Sequence, residues 1–159
     1  MPDAKPHALM PSLLDRLIDP DSGGTAWQQG YSVAQMIDAV RSDLEDLLNT
    51  RQSFHDVPAE FRETVRSSLT YGLPDLATMR AGTAAERARI GTLLEELISR
   101  FEPRLRGVRV TLVQTERDTD RRVSFHIDAR LAVEPAPEVG FVTVLELTTG
   151  QASVAPRAS

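Results

Sequence analysis

The apolar pattern of this chain changes period once, across Phe101-Glu102-Pro103-Arg104-Leu105. Before that stretch apolar residues recur at helical spacing; after it they alternate as in strands. Pro103 disfavours helical geometry at Glu102, so the preceding helix should stop near Phe101. Pro103 also has no N–H to donate, which suits the first residue of a strand and not its middle. In extended chain, residues i and i+2 share a face, so Glu102 and Arg104 project together. Val108, Val110 and Leu112 form an apolar face. Continued backwards without a break, that face would take in Arg106, Arg104 and Glu102 and bury their charges. A bulge at Gly107 adds one residue and flips the register. Leu105 then turns to the core, and the Glu–Arg pair turns outward or into a partner.

Upstream, residues 1–10 hold two prolines and no periodicity and read as a tail. Ser12 can cap a short helix bearing Leu13, Leu14, Leu17 and Ile18. Residues 19–30 form a glycine-rich loop holding the single tryptophan, Trp27, which either lids the core or anchors an interface. Ser32 and Gln35 make a capping box for a helix over 32–49, with Val33, Ile37, Val40, Leu44 and Leu47/Leu48 on one stripe. Residues 50–57 read as loop. Phe61, Val65 and Leu69, after Pro58, predict a helix over 58–69. Tyr71-Gly72-Leu73-Pro74-Asp75 is a turn, and Leu76 with Met79 suggests one further helical turn. Thr83 to Glu86 is a second capping box, opening a helix over 84–101 with Ile90, Leu93, Leu94, Leu97, Ile98 and Phe101 inward.

Downstream, strands run through Val108–Leu112, Val123–Val133 and Phe141–Leu147, separated by the polar turn Glu116–Arg121 and by Pro135 and Pro137. Thr149-Gly150 is a turn before a short last strand from Gln151 to Val154, and 155–159 reads as tail. The expected fold is α+β: N-terminal helices packed on a C-terminal antiparallel sheet of three to four strands. One domain is expected over 11–154.

Chemistry is narrowed mainly by exclusion. Eighteen basic against 23 acidic residues give a net charge of −5, which exerts no long-range pull on nucleic acid or an anionic membrane. The chain has no cysteine, so disulfides, thiolate metal sites and cysteine nucleophiles are excluded. No stretch approaches the roughly 20 apolar residues of a membrane span, and Asp3 and Lys5 among prolines do not make a secretory signal. His7, His55 and His126 share no metal-ligand spacing, and neither G-x-S-x-G nor a phosphate-binding glycine loop occurs. Catalytic, cofactor-binding and metal residues are therefore not expected, nor is a small-molecule substrate. Glu116, Asp118 and Asp120 sit in a solvated turn where nothing would raise a pKa for glycosidase chemistry. Glu95 and Glu96 read as a solvated helix face. Arg87, Arg89, Arg100, Arg104, Arg106 and Arg109 lack nearby aromatics for base stacking. The Glu102/Arg104 pair keeps two readings: an internal salt bridge at the corner, or an interface contact suited to arginine's planar fork.

Four stretches carry a family resemblance: Pro11-Ser12-Leu13-Leu14-Asp15-Arg16-Leu17, Val40 to Arg51 (VRSDLEDLLNTR), Tyr71-Gly72-Leu73-Pro74-Asp75, and Phe101-Glu102-Pro103-Arg104-Leu105. The strand and turn from Phe141 to Gly150 fit as well. With them the chain resembles the TssE family of type VI secretion baseplates and the related phage baseplate-wedge proteins of the GPW family. The resemblance implies a structural protein and not an enzyme, cytoplasmic and assembled at the inner face of the bacterial envelope. The partners it implies are other wedge subunits (TssF-, TssG- and TssK-like) and sheath subunits (TssB- and TssC-like), with no nucleic acid and no membrane insertion. The family's Glu-Pro-Arg motif matches Glu102, Pro103 and Arg104. In the family it is associated with joining the sheath's first ring by imitating strand exchange between sheath subunits, and so with seeding sheath polymerisation. The family's older lysozyme label implies a competing reading as a peptidoglycan hydrolase. A regulatory adaptor built on the same fold is a third.

Overall fold

In the computed structural model, residues 12–18, 31–54, 57–58, 60–76, 83–113, 121–134 and 136–157 are described. Loop 19–30 with Trp27, the turn suggested at Met79, the terminal tail 1–10 and most of the turn before Arg121 lie outside them. The described chain divides into two compact units, 1–40 and 41–159.

In the first unit, helix α1 (Leu13–Ile18) opens on a reciprocal cap. The Asp15 N–H donates to Ser12 Oγ at 3.0 Å and the Ser12 N–H donates to the Asp15 carboxylate at 3.1 Å. Its Leu13, Leu14 and Leu17 are exposed. Helix α2 (Val33–Asn49) begins with the expected Ser32/Gln35 box, at 2.9 and 3.2 Å.

In the second unit, the stripe Leu44, Leu47 and Leu48 of α2 is buried. The helix expected over 58–69 is shorter. Only α3 (Arg62–Val65) is α-helical, followed by a 3-10 turn over Ser68–Thr70. Ser67 breaks it. Its backbone is extended (φ −86°, ψ 169°), its hydroxyl donates to Thr64 O at 2.7 Å, and it accepts the Leu69 N–H at 3.3 Å. A serine that satisfies backbone groups locally competes with the helix ladder. Phe61 and Leu69, expected inside, are exposed. Helix α4 (Ala84–Phe101) has its Thr83/Glu86 capping box in place and buries Ile90, Leu94, Leu97 and Ile98.

The sheet is an antiparallel meander in the order β1-β2-β3-β4: β1 (Leu105–Val113), β2 (Arg122–Leu131), β3 (Glu138–Glu146) and β4 (Gln151–Pro156). Helix α4 packs along β1. Strand β4 runs past Val154 to Pro156, so 155–156 is sheet and not tail. Strand β2 ends at Leu131, before Val133. One further bond follows in the same register, the Ala132 N–H donating to Arg104 O at 2.7 Å.

The β1–β2 register shifts by one residue between Arg106 and Arg109, where the bulge was expected. Gly107 takes the left-handed conformation (φ +63°) that such a bulge needs. Leu105 and Val108 are both buried as a result, and Arg106 and Arg109 stand on the outer face. A second glycine is held by space. Gly72 (φ +101°) would place a Cβ 2.5 Å from Thr50 O. A Cβ on Gly107 would meet nothing within 4 Å. Gly107→Ala should therefore cost only the left-handed penalty, about 1–2 kcal/mol. Gly72→Ala should cost at least about twice that, because it adds a backbone clash. Urea denaturation of the two variants checks this order.

Candidate protein-interface site

The corner after α4 gathers three separated segments of the second unit. Pro103 ends α4, but only after the Glu102 N–H has made a last helical bond to Ile98 O at 2.8 Å. Glu102 then folds back over the corner. Its Oε1 accepts the Arg104 N–H at 3.1 Å and Arg104 Nε at 2.7 Å, and its Oε2 takes the terminal guanidinium nitrogen at 2.5 Å. The same nitrogen also donates to the Asp43 carboxylate on α2. Glu102 is the most deeply placed member, its side chain 5% exposed against 26% for Arg104 and 31% for Asp43. A buried carboxylate is tolerable here because a two-pronged guanidinium and a backbone N–H meet its charge. Burial works to lower the Arg104 pKa, but the hydrogen bond and charge of Glu102, and then those of Asp43, outweigh it and hold it above the ordinary arginine value.

Of the two readings left open by sequence, the internal salt bridge is present. The pair does not turn outward: Glu102 is buried, and Arg104 reaches to Asp43. What the corner exposes is Pro103.

Tyr71, from the turn after the 3-10 element, stands near the site against Phe101. Its ring stands edge-on to Phe101, with centroids 5.3 Å apart and planes at 76°. The Arg100 guanidinium lies 5.9 Å from the Phe101 centroid. Burial first, and then the charges of Asp43, Asp46 and Glu102, push the Tyr71 pKa up. The adjoining Leu73 is stitched to the end of α2: its N–H donates to Thr50 O and its carbonyl accepts the Gln52 N–H, both at 2.8 Å.

The sheet edges are partly occupied. On β4, the Asn49 amide imitates a strand: its Oδ1 accepts the Ala152 N–H at 2.9 Å and its Nδ2 donates to Ala152 O at 3.0 Å. Pro156 offers no N–H further along. On β1, Glu95 Oε2 accepts the Val110 N–H at 3.0 Å. Glu95 is thus an edge cap and not merely a solvated face residue. Since the Val110 N–H points away from β2, alternation turns the backbone groups of Leu112 the same way. Glu95 does not cover those.

Asp43, Tyr71, Asn49 and Glu95 were not picked out as site residues from sequence. Asp43 lies on the polar face of α2, and no local pattern announces a partner 61 residues away. Among the described residues no group of three or more His, Cys, Asp or Glu is placed to hold a metal ion, and no helix is long and apolar enough to cross a membrane.

Comparison with known families gives a match over residues 34–136 to the model described as baseplate wedge protein gp25. That range covers more than half of the chain and holds Asp43, Tyr71, Glu102 and Arg104. The chain belongs to the baseplate wedge protein gp25 family. It is also similar to a chain in the solved structure titled "The baseplate complex from the type VI secretion system", at 17% identity and a TM-score of 0.49, over 71% of this chain and 96% of that one. Comparison with curated proteins returns no match.

The raised Tyr71 pKa sets an alkaline limit. The folded chain holds the phenolic proton more tightly than the unfolded chain, whose tyrosine ionises near 10.0. The stability this contributes is complete below pH 10 and is lost as pH rises through the folded value. Denaturation between pH 9 and 11 should show that decline, and Tyr71→Phe should remove its share of the slope.

Proposed function

We propose that this chain is a structural wedge subunit of a type VI secretion baseplate that docks the first ring of the contractile sheath and seeds its polymerisation. The observation that carries this reading is the family match, which runs through the Glu102–Pro103–Arg104 corner. The geometry supports it in a particular way. The charges of Glu102 and Arg104 are spent inside the fold, where they fix the start of β1 and leave Pro103 outermost. A rigid, pre-positioned strand end loses little entropy when a partner strand pairs with it. Farther along the same edge lie the outward backbone groups of Leu112, which meet no partner among the described residues. A modest contact of this kind gains strength when repeated around a ring.

On this reading the partners are TssB- and TssC-like sheath subunits and TssF-, TssG- and TssK-like wedge subunits. The chain works in the cytoplasm at the inner face of the envelope, as scaffold and not as catalyst.

The test is capture of sheath and wedge subunits by the purified chain. Pro103→Asp changes an exposed corner residue and should leave the circular dichroism unchanged. It should lower sheath capture roughly tenfold, the equivalent of about 1.4 kcal/mol, and leave wedge capture intact. Undiminished sheath capture by the folded variant would contradict the docking role of the corner.

A further inference from the structure

The outer face of the sheet concentrates its charge at one end. Two cross-strand rows lie there: Arg106–Arg130–Glu138 and Arg109–Asp128–Gly140. Arg157 joins the second, its N–H donating to Gly140 O at 2.9 Å. The next row, Thr111–His126–Val142–Ala155, has no carboxylate and no arginine. Four arginines thus meet two carboxylates, in a chain whose net charge is −5. Both carboxylates are already engaged, Asp128 with Arg157 at 3.0 Å and Glu138 with Arg130 at 3.3 Å. Among the described residues, Arg106 and Arg109 have no ion pair.

A hollow of about 510 Å³ opens between these side chains over Gly107, Ala129 and Gly140. The glycines keep it open. A Cβ on Gly140 would touch Asp128 Oδ1 and the Arg157 side chain at 3.4 Å, and Gly107 leaves clear space on its side.

We propose that this hollow docks an acidic, extended segment of a partner protein, whose carboxylates pair with Arg109 and the arginines flanking it. Arginine's fork matches a carboxylate in two-point geometry. An extended segment puts every second side chain on one face, which suits a flat sheet surface. A polyanionic nucleic acid fits less well, because Asp128 and Glu138 stand inside the patch and no aromatic lines it for base stacking. The hollow lies on the outer face, whereas Glu102 and Arg104 are turned to Asp43, so the proposal does not depend on the corner's role in sheath docking.

The full chain would be titrated with a short blocked peptide of alternating Glu and Thr, read by fluorescence anisotropy at low salt. The Glu peptide should bind and its Gln counterpart should not. Arg109→Gln should weaken binding by about tenfold or more, the range for a hydrogen bond to a charged group. Gly140→Leu fills the hollow without changing charge and should weaken binding comparably. Arg62→Gln, an exposed position far along the chain, should leave affinity unchanged, and all three variants should melt with the wild type. The proposal is overturned if the Glu peptide does not bind, or if its affinity survives both Arg109→Gln and Gly140→Leu. A single-stranded oligonucleotide of equal charge binding as tightly would also overturn it.

Discussion

Glu102 sits almost wholly out of water, and an ionised carboxylate there carries a desolvation cost on the order of several kcal/mol unless its charge is met. It is met by the residue two positions on. Arg104 reaches back with both its fork and its own N–H, and the terminal nitrogen shared with Glu102 also donates to Asp43 from α2. Pro103 ends the helix but is not the strand's first residue, the place the sequence suggests for it: Pro103 and Arg104 form a turn closed by the Leu105 N–H donating to Glu102 O at 3.1 Å, and β1 begins at Leu105. One charge cluster therefore fixes where α4 stops, where β1 starts, and which side of α2 faces the corner.

This bears on how a charged motif can serve an interface. If Glu102 and Arg104 were simply exposed, a partner would have to order two long side chains on binding. Held internally, they are ordered before any partner arrives, and the exposed groups are the proline and the strand edge. The edges follow the same economy. Asn49 and Glu95 occupy part of each edge with side-chain imitations of a strand, which limits promiscuous pairing. The outer face is a third surface, with its arginines gathered around Gly107 and Gly140.

Much of the architecture was legible because it depends on local signals. The capping boxes at Ser32 and Thr83 announce α2 and α4. The change of period at Pro103 announces the sheet, and the conflict between Leu105 and Val108 requires a bulge at the one glycine able to provide it. The failures have equally local causes. Phe61, Val65 and Leu69 have helical spacing, but Ser67 satisfies its neighbours' backbone groups and interrupts the helix. The candidate site was half legible. Glu102 and Arg104 stand out as an acid and a base at a corner. Their inward direction depends on Asp43, a tertiary partner that periodicity cannot reveal. Asn49 and Glu95 were hidden for a related reason: each is a polar residue on a helix whose use depends on which strand edge passes beside it.

The central claim is that Glu102, Arg104 and Asp43 form one electrostatic unit that holds the corner. A double-mutant cycle on Glu102 and Arg104, read by chemical denaturation, tests it most directly. Arg104→Gln alone leaves two carboxylates facing each other without a cation, whereas adding Glu102→Gln removes the deeper of them. The account predicts that the double variant is more stable than the sum of the single losses implies, by about 1.5 kcal/mol or more. Losses that simply add, with coupling near zero, would contradict it.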